Sequence, residues 1–155
     1  MPAYVKSVKL IDKGWKKIRK SLKQMEDAYV AVGFPGETSK TVKGADGSFT
    51  VASLAAVHEY GTTDGHIPSR PFMRMTYERT RQEIKTLTRR LYRRVLDNKI
   101  SVRRALGLIG VKYEGEIKQT ITQGPFEPLK TRIGTPLVDT GTNLRNNVTH
   151  KVRMR

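Results

Sequence analysis

The chain has 155 residues, 37% of them hydrophobic, no cysteine, and 30 Lys and Arg against 14 Asp and Glu, for a formal charge of +16. That length fits one domain with a lean core that an oligomer interface could complete, and the absence of thiols excludes disulfides, thiolate metal sites and cysteine nucleophiles. No apolar run is long enough to span a bilayer and the N-terminus lacks a signal-peptide pattern, so a soluble protein in a cytoplasm-like compartment is expected.

Val8, Ile11, Trp15, Ile18, Leu22 and Met25 recur at steps of three and four, predicting an N-terminal amphipathic helix. Lys9, Lys13, Lys16, Lys17, Lys20 and Lys23 fall mostly on its other side, and Gly14 inside it costs about 1 kcal/mol relative to Ala. Residues 28–34 are β-rich and end at Pro35-Gly36, which predicts a buried strand. Residues 37–49 hold almost no apolar side chain and predict a protruding loop or long hairpin arm, a length uncommon without a function. Thr50 is placed to cap a short helix carrying Val51, Leu54, Ala55, Val57 and His58, stopped by Gly61. Residues 62–70 are turn-rich. A long helix is expected from about 71 to 96, with Met73, Tyr77, Ile84, Leu87, Leu91 and Val95 as its apolar stripe. Asp97-Asn98 breaks it, and Ser101 caps a further helix carrying Val102, Ala105, Leu106, Ile109, Tyr113, Ile117 and Ile121. Gly124-Pro125 ends that helix, residues 125–141 form an extended connector, and residues 147–154 supply a closing strand. The fold class is α+β: a small, mostly antiparallel sheet packed against a long helix pair, plus the N-terminal helix, in a single domain over residues 1–155.

The charge calls for an acidic partner: nucleic acid, an anionic membrane surface or acidic protein. It is spread over several elements and forms no basic tail of the kind that grips DNA unaided. Zinc-finger spacing, a ribonucleoprotein aromatic motif and a clear helix-turn-helix are missing. The face at Arg81, Lys85, Arg89 and Arg93 could track phosphates, and a solvated or subunit-facing helix side explains it equally well. His58-Glu59 lacks the second histidine of a zinc-hydrolase H-E-x-x-H, since Thr62 stands there, and only His66 and His150 remain. The plainer expectation is a hydrogen-bonded His58 and a Glu59 paired with a nearby Arg. No G-x-S-x-G elbow occurs and carboxylates are scarce, so no catalytic constellation, cofactor site or metal site is expected.

One run stands out: Val57-His58-Glu59-Tyr60-Gly61-Thr62, then Ile67-Pro68-Ser69-Arg70-Pro71-Phe72-Met73-Arg74. It reads as a helix end, a glycine stop, a short loop and a proline-gated helix start anchored by a buried Phe72. Pro136-Leu137-Val138-Asp139-Thr140-Gly141 follows near the C-terminus. These three segments, in this order, resemble the neck and tail-completion (head–tail joining, tail-terminator-like) proteins of long-tailed bacteriophages. The resemblance implies a non-catalytic virion protein forming a ring, hexameric in expectation, that ends the tail tube and joins it to the head connector. Its partners would be copies of itself, the head connector or neck protein and the tail tube protein, with transient contact to passing DNA and no membrane. Its location would be the virion, and the host cytoplasm during assembly. Within that picture Arg70 clamps loop to helix, and Asp139-Thr140-Gly141 is a turn fixing the closing strand. Oligomer or partner contacts are expected at Glu59, Tyr60, Arg70, Phe72, Arg81, Lys85, Arg89 and Arg93. The alternative is a basic nucleic-acid-binding protein.

Overall fold

The computed structural model describes residues 12, 14–35, 41–44, 47–126 and 143–154. Along the chain these form α1 (Trp15–Glu26), β1 (Tyr29–Gly33), β2 (Thr41–Gly44), β3 (Gly47–Thr50), α2 (Val51–Tyr60), α3 (Phe72–Leu96), α4 (Val102–Gln123), α5 (Asn143–Asn147) and β4 (Thr149–Arg153). β1 pairs antiparallel with β4, from Tyr29 opposite Arg153 to Gly33 opposite Thr149. β2 and β3 form a separate antiparallel hairpin, Thr41 opposite Thr50 and Gly44 opposite Gly47. The helix pair α3–α4 packs against the β1–β4 sheet, chiefly through α4. This is the α+β arrangement expected from the sequence.

Local chemistry explains most helix ends. The Thr50 hydroxyl accepts from Ser53 N at 3.1 Å, and the Ser101 hydroxyl from Arg104 N at 3.2 Å, each satisfying an N–H with no partner inside its helix. Helix α1 starts later than the apolar pattern suggests. Gly14 takes φ +103°, a left-handed value that suits glycine, so it stands before the helix and not within it. The Asp12 carboxylate accepts the Gly14 N–H at 3.0 Å there. Val8, Lys9, Ile11 and Lys13 lie outside the described residues, as do residues 36–40, 45–46 and 127–142 with the whole 136–141 motif.

Strand β1 is not the buried strand expected. Tyr29 and Ala31 are exposed while Val30 and Val32 are half-buried, because a sheet with one face on α4 turns every second residue outward. The apolar stripe of α3 is also corrected in its first half, where Tyr77 is exposed and Thr76 and Thr80 are buried instead. There the helices come close, with the Thr76 and Thr120 hydroxyls 2.7 Å apart. Small side chains fit such a crossing, and threonine can satisfy its hydroxyl on the carbonyl one turn back. Thr76 bonds Phe72 O at 2.7 Å, Thr80 bonds Thr76 O at 2.7 Å and Thr120 bonds Glu116 O at 3.0 Å. On the side of α4 that meets β4 the close packing falls to Gly110, where a Cβ would lie 2.5 Å from His150 Cδ2, so only glycine lets α4 sit this near β4.

Two apolar cores result. One gathers Val51, Ala55, Phe72, Ile117, Ile121, Leu144 and Val148. The other gathers Leu91, Val95, Val102, Ala105, Leu106 and Ile109 around the α3–α4 turn, with Val30 and Val152 packed against it. Helix α5 is an unexpected element; it delivers Leu144 to the first core just before the chain enters β4.

Candidate functional site

The patterned run at residues 57–74 builds the junction between α2 and α3. Gly61 ends α2 with φ +75° and donates its N–H to Val57 O at 2.8 Å. A Cβ at Gly61 would lie 2.8 Å from Ile67 O and 2.9 Å from Ser69 N, so the returning loop requires glycine here. The loop closes on itself through Thr62 N to Ile67 O at 3.0 Å and Ile67 N to the Thr62 hydroxyl at 2.9 Å. It is then tied back to α2 by the Ser69 hydroxyl to Glu59 O at 2.8 Å and Arg70 N to His58 O at 2.7 Å.

Helix α3 has no side-chain cap from its own preceding residues. Glu59 of α2 supplies one: its carboxylate accepts from Met73 N at 2.8 Å and Arg74 N at 3.1 Å. A carboxylate at that end both satisfies N–H groups that have no helical partner and meets the positive end of the helix dipole. Among the described residues Glu59 therefore bonds backbone and no arginine side chain, which corrects the sequence expectation. Among the described residues neither the buried His58 Nδ1 nor the buried Arg70 Nε has a hydrogen-bond partner, while the His58 carbonyl accepts from Arg70 N. Burial, and then the Arg70 charge, push the His58 imidazole below its ordinary value of 6.5 and so favour the neutral ring.

A second polar system ties α3, α4 and β4 together. Arg79 reaches Glu116 at 2.9 Å and the Thr120 hydroxyl at 3.1 Å, while Lys112 bridges Glu83 at 2.9 Å and Glu116 at 2.7 Å. The Lys112 hydrogen bond holds Glu116 below the usual carboxylate range against an opposing push from burial, with Arg79 adding to the effect. Glu114 pairs with Lys118 and, at 2.7 Å, with His150 Nδ1 of β4. Burial pushes Glu114 up, and the bonds from His150 and Lys118 outweigh it and hold the carboxyl low.

Of the eight residues expected at an interface, three lie inside the subunit: Phe72 at 0% exposure, Arg70 at 4% and Glu59 at 7%. Their contacts serve its own fold. Tyr60 is 72% exposed, and Arg81, Lys85, Arg89 and Arg93 are exposed along α3. None of these four cations makes an ion pair among the described residues. Arg81 and Lys85 flank a groove of about 660 Å³ whose apolar lining comes from Val30, Val32, Ile84, Ile109 and Tyr113.

The capping role of Glu59 and the threonine contact between the helices escape a reading of local pattern. A capping box joins residues within one turn, whereas Glu59 lies 14 residues before Met73. Among the described residues no three His, Asp or Glu side chains come together to hold a metal ion, and no helix is long and apolar enough to cross a membrane. No protein-family model, curated protein or solved structure matches this chain.

Proposed function

We propose that this chain is a structural virion protein forming a ring, a hexamer on the family pattern, at the head–tail junction of a long-tailed bacteriophage. There it would end the tail tube and join it to the head connector, without catalysis or cofactor. The observation that carries the proposal is how the motif residues are used. Glu59, Gly61, Thr62, Ser69, Arg70 and Phe72 are committed to joining α2 to α3, by backbone bonds, a cap and a buried ring. A run whose chemistry is consumed by its own fold suits a scaffold better than a site that must meet a substrate.

Support for assembly comes from α1. No residue of this helix is buried, yet it carries Trp15 at 65% and Leu22 at 46% exposure. Exposed large apolar side chains grouped on one element favour a protein neighbour. A head-to-tail contact between copies closes into a ring when its rotation closes. The proposed partners are copies of this chain, the head connector or neck protein and the tail tube protein, with DNA passing transiently and no membrane. Native mass measurement and electron microscopy of the purified protein and of particles test the proposal. Closed rings are expected; a strictly monomeric species at high concentration, and within particles, would overturn it.

The unpaired cations along α3 favour a second reading, a nucleic-acid-binding protein. A salt titration separates the two, since phosphate binding weakens by about 0.9 log units per contact for each tenfold rise in salt.

A further inference from the structure

Strand β1 has β4 on one edge and, among the described residues, no strand on the other. Its Val30 and Val32 line the groove together with Tyr77, Arg81, Ile84 and Lys85 of α3, and no β4 residue does. The groove therefore runs between the open edge of β1 and α3, over Ile109 and Tyr113 of α4.

Packing distances give the missing piece its shape. Neighbouring helices lie about 8–10 Å apart and neighbouring strands about 4.8 Å apart, so two strands cover roughly one helix. β1 and β4 cover α4 and leave the groove side of α3 open, with Tyr77 exposed. A further strand on β1 would continue the sheet across the crevice between the helices, its backbone meeting the outward N–H and C=O groups of an edge that no described strand pairs. Every second side chain would descend on Ile84, Ile109 and Tyr113 and must be apolar. The rim sets the rest: among the described residues, Arg81 and Lys85 are exposed without an ion pair and no carboxylate lines the groove.

We infer that this groove seats an extended segment of another protein, alternating apolar residues with Asp or Glu, which docks as a third strand on β1. A second copy of this chain is a poorer occupant, because its paired strands Thr41–Gly44 and Gly47–Thr50 contain no acid to meet Arg81 and Lys85. The inference is independent of the ring, since a chain that never closes a ring can still bind such a segment.

The probe is a labelled synthetic peptide of about eight residues alternating Val and Glu, a usual strand length, titrated into the full chain. Binding should saturate, slow amide exchange in β1, and weaken as salt rises. Arg81→Glu with Lys85→Glu should weaken binding about tenfold, while Arg81→Lys with Lys85→Arg should retain it. Methylating alternate peptide N–H groups should abolish binding to the unmodified protein, because the strand ladder needs those donors; this arm stands even if the charge-reversed variant misfolds. The inference is overturned if the Val/Glu peptide does not bind, or if a Val/Lys or methylated peptide binds as well. Stronger protection of β1 by a single-stranded oligonucleotide would also overturn it. So would protection that grows with protein concentration alone, which would give the groove to a second copy.

Discussion

Phe72 sits where a helix start, the loop before it and the core that includes Val51 and Ile117 all converge. Phe34 meets its ring edge-on at 6.1 Å. Truncation would open a cavity in a site that cannot collapse from one side alone, so Phe72→Ala should cost about 3–5 kcal/mol, read as a lowered denaturation midpoint. Glu59 makes a smaller contribution of a different kind. Glu59→Ala strips two backbone N–H groups of their acceptor and should cost about 1–2 kcal/mol, with Glu59→Gln losing less because an amide oxygen still accepts. His58 makes stability depend on pH. The unfolded ring titrates near its ordinary 6.5 and the folded ring lower, so below 6.5 the unfolded chain takes up a proton that the folded chain resists. The stability that His58 contributes is present above 6.5 and is lost as pH falls through the lowered folded value. The urea midpoint should therefore fall between about pH 7 and about pH 5.5, and His58→Gln should flatten that slope. Glu114 and Glu116, held below the usual carboxylate range, contribute their own loss only at more acidic pH.

Elements whose ends are marked by neighbouring residues are legible in the sequence. Thr50, Gly61 and Ser101 stand where their side chains or backbone freedom predict, and Gly124 directly follows the last residue of α4. The start of α3 is legible only as Pro71-Phe72; its cap arrives through the fold, from another helix. The inward face of α3 is illegible for a related reason. Periodicity finds apolar residues, but a close helix crossing selects for size, and that selection brings in Thr76 and Thr80 and leaves Tyr77 outside. Five residues of α5 are too few to show any period. The strands at Thr41–Gly44 and Gly47–Thr50 fit the expected hairpin arm. If that arm reaches a neighbour, limited proteolysis should cut residues 37–49 in the free subunit and spare them after assembly. Equal cutting in both states would remove the arm from the proposal.

At the scale of the whole molecule, the open question is where a charge of +16 faces. A conduit that lets DNA slide is poorly served by a lumen of Lys and Arg, because each charge-assisted phosphate contact adds to a barrier against passage. In the proposed ring, the cations of α1 and the row at Arg81, Lys85, Arg89 and Arg93 should instead meet acidic protein at the outside or at the junctions, speeding docking in a salt-dependent way. A map of the assembled ring with its neighbours checks this; side chains pointing into the lumen within reach of DNA would move the case to the nucleic-acid reading. The division into two cores has a consequence in time. Leu91 to Ile109 holds all the buried residues of one core, so a growing chain can bring them together as soon as that helical turn clears the ribosome, with Val152 of β4 covering them later. The other core draws on Val51 and on Val148, and Phe72 must wait there until Leu144 has been made. In pulse-labelled refolding, amides between Leu91 and Ile109 should gain protection before those of α2. A nascent chain would then hold its α3–α4 turn in place while the α2–α3 junction is still open, and that junction would close only once Leu144 and Val148 have been made.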